Sequence, residues 1–103
     1  MLERRISFIT VLALADAKDS EDIKDFSILA KYDDMVQKIL DEITDTRYER
    51  CFLISVSSNR FKYETVYYVN SNDFNKFREV HEKIILQLGE ELPKNGLRLI
   101  SIE

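Results

Sequence analysis

Glycine occurs twice in this chain of 103 residues, and proline, cysteine and histidine once each. Two glycines and one proline leave little material for long loops, and none for a glycine-rich loop that cradles phosphate. One cysteine excludes an intramolecular disulfide, and one cysteine with one histidine excludes the usual zinc ligand sets. No apolar run approaches the ~18 residues of a membrane-spanning helix, so no membrane partner is expected. Composition calls for no cofactor and no resident metal.

What is present fits a single domain over residues 1–103. Hydrophobic residues make up 45% and charged residues 33%, which is ordinary for a globular chain and too apolar for disorder. The formal net charge of -4 is unevenly spread. Asp16 to Glu49 holds eleven acidic and five basic residues, whereas Arg50 to Glu103 holds seven and eight. A surface of that kind repels phosphate backbones and favours basic partners, unless the acidic side chains are merely solvated.

The stretch RCFLISVSSNRFKYETVYYV, Arg50 to Val69, predicts a β-hairpin with strands over 50–57 and 60–69, turning through Ser57, Ser58, Asn59 and Arg60. Alternation puts Phe52, Ile54 and Val56 on one face of the first strand, with Cys51, Leu53 and Ser55 on the other. The second strand carries Phe61, Tyr63, Thr65, Tyr67 and Val69 on one face, and Lys62, Glu64, Val66 and Tyr68 on the other. A strand buried on one side should alternate cleanly, so part of the second face needs a cover. Cys51, Leu53, Val66 and Tyr68 are the candidate sheet surface for a homodimer, and Phe61, Tyr63 and Tyr67 form the alternative outer patch if the helices take the other face.

Met1 to Ala15 resembles a short secretory signal, with Arg4 and Arg5 before an apolar run and small residues before Asp16. Ile6, Phe8, Ile9 and Val11 also make a good strand, and a first strand over 4–14 is the expectation. Asp16 to Ser27 reads as an acidic connection, with Ser20 able to cap an extra turn. It lacks the central glycine and closing glutamate of a calcium-binding loop. Leu29, Tyr32, Val36, Ile39 and Ile43 predict a helix over 28–45, leaving Asp33, Asp34, Asp41 and Glu42 on its outer side as a candidate partner-binding face. Phe74, Phe77, His81, Ile84 and Leu88 predict a second helix over 72–90, capped by Ser71 or Asn72 and ended near Gly89. A last strand falls at 97–102. The order strand, helix, strand, strand, helix, strand is the ferredoxin-like split βαβ arrangement: an α+β domain with a four-stranded antiparallel sheet and both helices on one face.

Three residues invite chemistry. His81 stands in the apolar stripe and could serve as an acid or base, but no nucleophile or carboxylate accompanies it, and a packed structural histidine is expected. Cys51 beside Arg50 could be a reactive thiol; a buried strand hydrophobe is its usual role. Asp16 follows the first strand, roughly where small dimeric CRISPR-associated nucleases of this fold place a metal-binding aspartate. The hairpin aromatics resemble the base-stacking sheet of ferredoxin-like RNA-binding domains, yet Arg60 to Glu64 lacks the glycines of that pattern.

The expectation is therefore a small, acidic, cytoplasmic protein-interaction module, a homodimer with a protein partner such as a basic nucleic-acid-binding protein. Its size and charge match inhibitors encoded by mobile elements. A nucleic-acid binder and a metal-dependent nuclease are the alternatives.

Overall fold

A computed structural model describes residues 3–103. Its elements are β1 (Glu3–Leu14), a 3-10 turn (Ser27–Leu29), α1 (Ala30–Asp41), β2 (Thr46–Ser57), β3 (Arg60–Asn70), α2 (Phe74–Lys94) and β4 (Leu97–Ile102). The strands form one antiparallel sheet in the order β2-β3-β1-β4, which is the ferredoxin-like split βαβ fold.

The register decides which hairpin face meets the helices. Leu12 pairs with Phe61, Thr10 with Tyr63, Phe8 with Thr65 and Ile6 with Tyr67. Phe8, Leu12, Phe61, Tyr63, Tyr67 and Val69 form one core with Tyr32, Val36, Ile39 and Leu40 of α1 and Val80, Ile84, Leu88 and Leu92 of α2. The two helix stripes repeat at three and four residues, so each lays a continuous apolar ridge on that sheet face. Two buried hydroxyls pin α1 and its entry turn to the sheet: Thr10 and Tyr32 share a hydrogen bond of 2.8 Å, and Tyr63 donates to the Leu29 carbonyl at 3.2 Å.

Several boundaries differ from the sequence-based expectation. The first helix ends at Asp41 rather than 45. There Thr46 turns its hydroxyl back onto the Leu40 and Ile43 carbonyls, at 2.7 and 2.9 Å, and Asp45 takes a left-handed φ of 69°. That tight exit lets β2 begin at Thr46, four residues before 50. The second helix is capped by Asp73, whose carboxylate accepts from the Asn75 N–H at 2.9 Å, rather than by Ser71 or Asn72. It runs through Gly89 because Leu92 extends the buried stripe. It ends at Lys94 with Asn95 as its C-cap, and Gly96 adopts a φ of 75°, the left-handed geometry of a helix exit. Asp16 to Phe26 contains turns and no helix, so Ser20 caps nothing.

Strict alternation also fails three times, first between Tyr48 and Arg50, where Glu49 is the extra residue in the β2–β3 ladder. The β2–β3 register shifts between Leu53 and Ser55, so Leu53 pairs with Tyr63 and Val56 with Phe61. Val56 thus shares the helix-side face with Leu53, because a β-bulge inserts Ile54 as an extra residue. The β1–β4 register shifts between Val11 and Leu12, which brings Ile102 to the helix side with Leu97 and Leu99.

Candidate functional site

β2 is an edge strand, and its last third runs out beyond the helices. Phe52, Leu53, Ile54 and Val56 each leave 40–44% of their surface exposed, and Ser55 and Ser57 are exposed beside them. From Cys51 to Asn59 the strand and its turn carry no charge. An apolar, uncharged edge exposed on both faces is a template for association.

The outer sheet face is covered by the chain's own charged side chains. Arg47 pairs with Glu3 at 2.9 Å, Arg5 with Glu49 at 3.5 Å, and Arg50 with Glu49 at 3.6 Å and Glu64 at 3.9 Å. Tyr68 donates to Glu49, and the Arg47 guanidinium lies 4.1 Å above the Tyr68 ring. The Tyr68 hydroxyl, followed by Arg5 and Arg50, holds the Glu49 carboxyl below its usual value against the opposing cost of desolvation. Long side chains bury their stems on apolar surface while their charges stay wet. Val66, flanked by Ser7, Arg50, Glu64 and Tyr68, accordingly has no exposed surface.

The four residues singled out as one sheet surface do not share a face. Cys51 lies buried in the core, Leu53 is exposed on the same side near the tip, and Val66 and Tyr68 lie on the outer face. Their separation follows from the hairpin register, which sets Cys51 opposite Thr65 and Leu53 opposite Tyr63 and so leaves Val66 and Tyr68 on the other face. Of the acidic set, Asp34 and Glu42 border a groove of ≈ 320 Å³ between α1 and α2, alongside Lys31, Lys38 and Glu91. Asp41 is exposed. Asp33 is half-buried and accepts a hydrogen bond from Tyr48, whose hydroxyl pKa burial and then Asp33 push upward.

Burial pushes the Cys51 thiol up to about 11, and Thr65 donates to its sulfur at 3.3 Å. That environment keeps the group a thiol rather than a nucleophilic thiolate. His81 stacks on Phe77 at 5.9 Å and meets Phe8 edge-on at 5.8 Å, within the packing stripe. Phe61, Tyr63 and Tyr67 are buried under the helices, so of the hairpin aromatics only Phe52 and Tyr68 stand on the open sheet face. Asp16 is exposed beside Asp25 at a shallow pocket. Among the described residues no three His, Cys, Asp or Glu side chains converge as a metal-binding group. No described helix is long and apolar enough to cross a membrane.

Known structures share this architecture. The cryo-EM structure of Arabidopsis thaliana MSL1 superposes with a TM-score of 0.75 at 13% identity, covering 96% of this chain and 34% of that one. The A320V form of the same protein gives 0.75 at 13% identity, over 96% of this chain and 35% of that one. The crystal structure of AtUAH in complex with glyoxylate gives 0.51 at 14% identity, over 96% and 26%. The likeness is one of fold. The chain spans about a third of the length of the MSL1 chains it matches. No family model and no curated protein matches the sequence.

Phe52, Ile54 and Val56 were absent from the candidate surface read from sequence. The signal for them was a strand apolar on both faces; the bulge that turns Val56 to the helix-side face has no mark in the residue pattern.

Proposed function

We propose that this chain is a cytoplasmic protein-interaction module, which self-associates through the tip of β2 and presents an acidic helix surface to a basic partner. The observation that carries the reading is the exposure of Phe52, Leu53, Ile54 and Val56 on one uncharged strand end. A second copy offers the same uncharged apolar surface, and twofold packing lets one patch cover itself. Four such side chains present on the order of 300 Å² of apolar surface per subunit, the size at which a patch on a monomer signals a partner.

Asp34, Asp41 and Glu42 on α1 remain outward in such a dimer. A basic nucleic-acid-binding protein suits that charge, and blocking its nucleic-acid surface is the action this size and charge fit. Sedimentation equilibrium from 1 to 100 µM is the test, with a mass near twice 12.2 kDa expected. Leu53→Lys with Ile54→Lys should return the protein to monomer with its circular dichroism unchanged. A wild-type monomer throughout the range overturns the dimer. For the acidic surface the probe is a deca-lysine peptide. Asp34→Lys with Asp41→Lys and Glu42→Lys should weaken its binding about tenfold, and equal binding refutes that half.

A further inference from the structure

We propose that the open edge of β1, beneath the overhanging first half of α2, takes an extended acidic segment of a partner protein as a fifth strand. This site lies on the opposite side of the sheet from the β2 tip.

β4 pairs with β1 only from Thr10 to Leu14. The ladder closes with the Ile9 N–H donating to the Glu103 carbonyl at 3.0 Å and the Glu103 N–H returning to the Ile9 carbonyl at 2.7 Å. From Glu3 to Phe8, β1 keeps its pairing with β3 without a register shift. Its other side has no partner strand among the described residues. Successive residues of an antiparallel strand direct their backbone groups to alternate sides. Ile9 directs its groups towards β4, so Ser7 and Arg5 direct theirs into the open edge.

The edge has a roof. α2 is 21 residues and β4 six, roughly 31 Å against 20 Å at their respective rises. The excess lies over the N-terminal half of β1: Phe77 stands 6.0 Å from the Arg4 guanidinium, and His81 meets Phe8. The flank of α2 beside it holds a groove of ≈ 290 Å³ lined by Phe77, Arg78, His81, Glu82, Ile85 and Leu86. His81 Nδ1 is buried without a hydrogen-bond partner. A strand entering here finds backbone donors and acceptors on one side and an apolar ceiling above, the two components of strand addition.

Charge decides the occupant. Arg4 and Arg78 have no carboxylate within ion-pair distance among the described residues, and Arg5 reaches Glu49 only at 3.5 Å. Arg4, Arg5 and Arg78 stand against Glu82 here, while Glu3 is paired with Arg47 and Glu49 is shared by Arg5, Arg50 and Tyr68, which leaves a basic site on a chain of net charge -4. A second copy fits poorly. Twofold antiparallel pairing centred on Arg5 or Arg4 sets two arginines opposite each other at about 5.5 or 4.5 Å. Pairing centred on Ile6 places Glu3 of the copy opposite Ile9, displacing Glu103 from both of its bonds. A foreign strand with apolar residues towards α2 and carboxylates towards Arg5 meets neither obstacle.

The probe is a fluorescein-labelled, C-terminally amidated Val-Glu-Val-Glu-Val-Glu peptide, titrated with the whole protein and read by fluorescence anisotropy. Saturable binding is expected, with the Val-Lys counterpart at least about tenfold weaker and Arg5→Ala, which removes the cation facing the carboxylates, costing about tenfold. N-methylation of one alternate set of peptide residues should abolish binding, while the other set leaves it within about twofold, because only one set faces β1. The peptide carries this arm, so it stands whatever the variant does to folding. Equal binding of the two methylated forms, or of the lysine peptide, overturns the proposal. So does self-association of the protein that the peptide competes away, which would put a second copy on this edge.

Discussion

Removing the Asn59 side chain should cost more stability than any other single change at the hairpin turn. Asn59 is wholly buried. Its Oδ1 accepts from the Leu14 N–H at 2.7 Å, and its Nδ2 donates to the Leu14 carbonyl at 3.1 Å and the Ala17 carbonyl at 3.2 Å. The β2–β3 turn is thereby stitched to the end of β1 and the loop that follows. Asn59→Ala removes all three bonds, each worth about 0.5–1.5 kcal/mol net, for a total of about 3 kcal/mol. With a urea m-value of about 1.5 kcal/mol/M for a small domain, the unfolding midpoint should fall by about 2 M. Asn59→Asp is the sharper variant. It keeps the acceptor for Leu14 but sets a carboxylate oxygen against two carbonyls, so at pH 7 it should lose at least as much as alanine. A loss below about 1 kcal/mol for Asn59→Ala, or wild-type stability for Asn59→Asp at pH 7, would refute the reasoning.

The two glycines should respond with opposite signs. A Cβ at Gly96 would sit 2.8 Å from Ile28 Cδ1 at a φ of +75°, so Gly96→Ala should destabilise by about 1–2 kcal/mol. Gly89 has nothing within 4 Å of its would-be Cβ and lies inside α2, so Gly89→Ala should gain about 0.5–1 kcal/mol. A urea midpoint that rises for Gly96→Ala, or falls for Gly89→Ala, would contradict that assignment. Alkaline pH should unfold the protein through its buried acids. Burial pushes Cys51 from 9.0 to about 11, and Tyr63 and Tyr67 from 10.0 to about 12. A raised folded value keeps its contribution intact below the ordinary value and loses it as pH climbs to the folded one. Midpoints measured between pH 8 and pH 12 should therefore decline from about pH 9 upwards, and a flat profile to pH 11 would sink this reading.

Periodicity alone carried the fold. The change from two-residue to 3.6-residue spacing is local physics, because pleat and helix each repeat along the chain whatever surrounds them. Four strands and two helices follow from it, in the order that defines the split βαβ arrangement, with β4 at 97–102 as expected from the residue pattern. The outward placement of Asp34 and Asp41 was legible for the same reason. Element ends were less so. Thr46 and Asp73 act as caps through contacts made once the chain has turned, and neighbouring serine, asparagine and aspartate residues compete equally well for such roles in the sequence.

The exposed surfaces belong to the tertiary structure. A hairpin with apolar residues on both faces does not say which face the helices will take. That choice put Cys51 and Tyr67 in the core, and left Val66 beneath arginine and glutamate stems. The bulge at Ile54 re-aims Val56 because one inserted residue flips every side chain beyond it. The open edge of β1 exists because β4 is shorter than its neighbour and α2 longer, a relation between elements far apart in the chain. The sequence by itself determined the element types, their order and the uneven charge, since these depend on neighbours within a few residues. Only packing decided which surfaces are left without a cover, because a surface is what remains after distant segments have met.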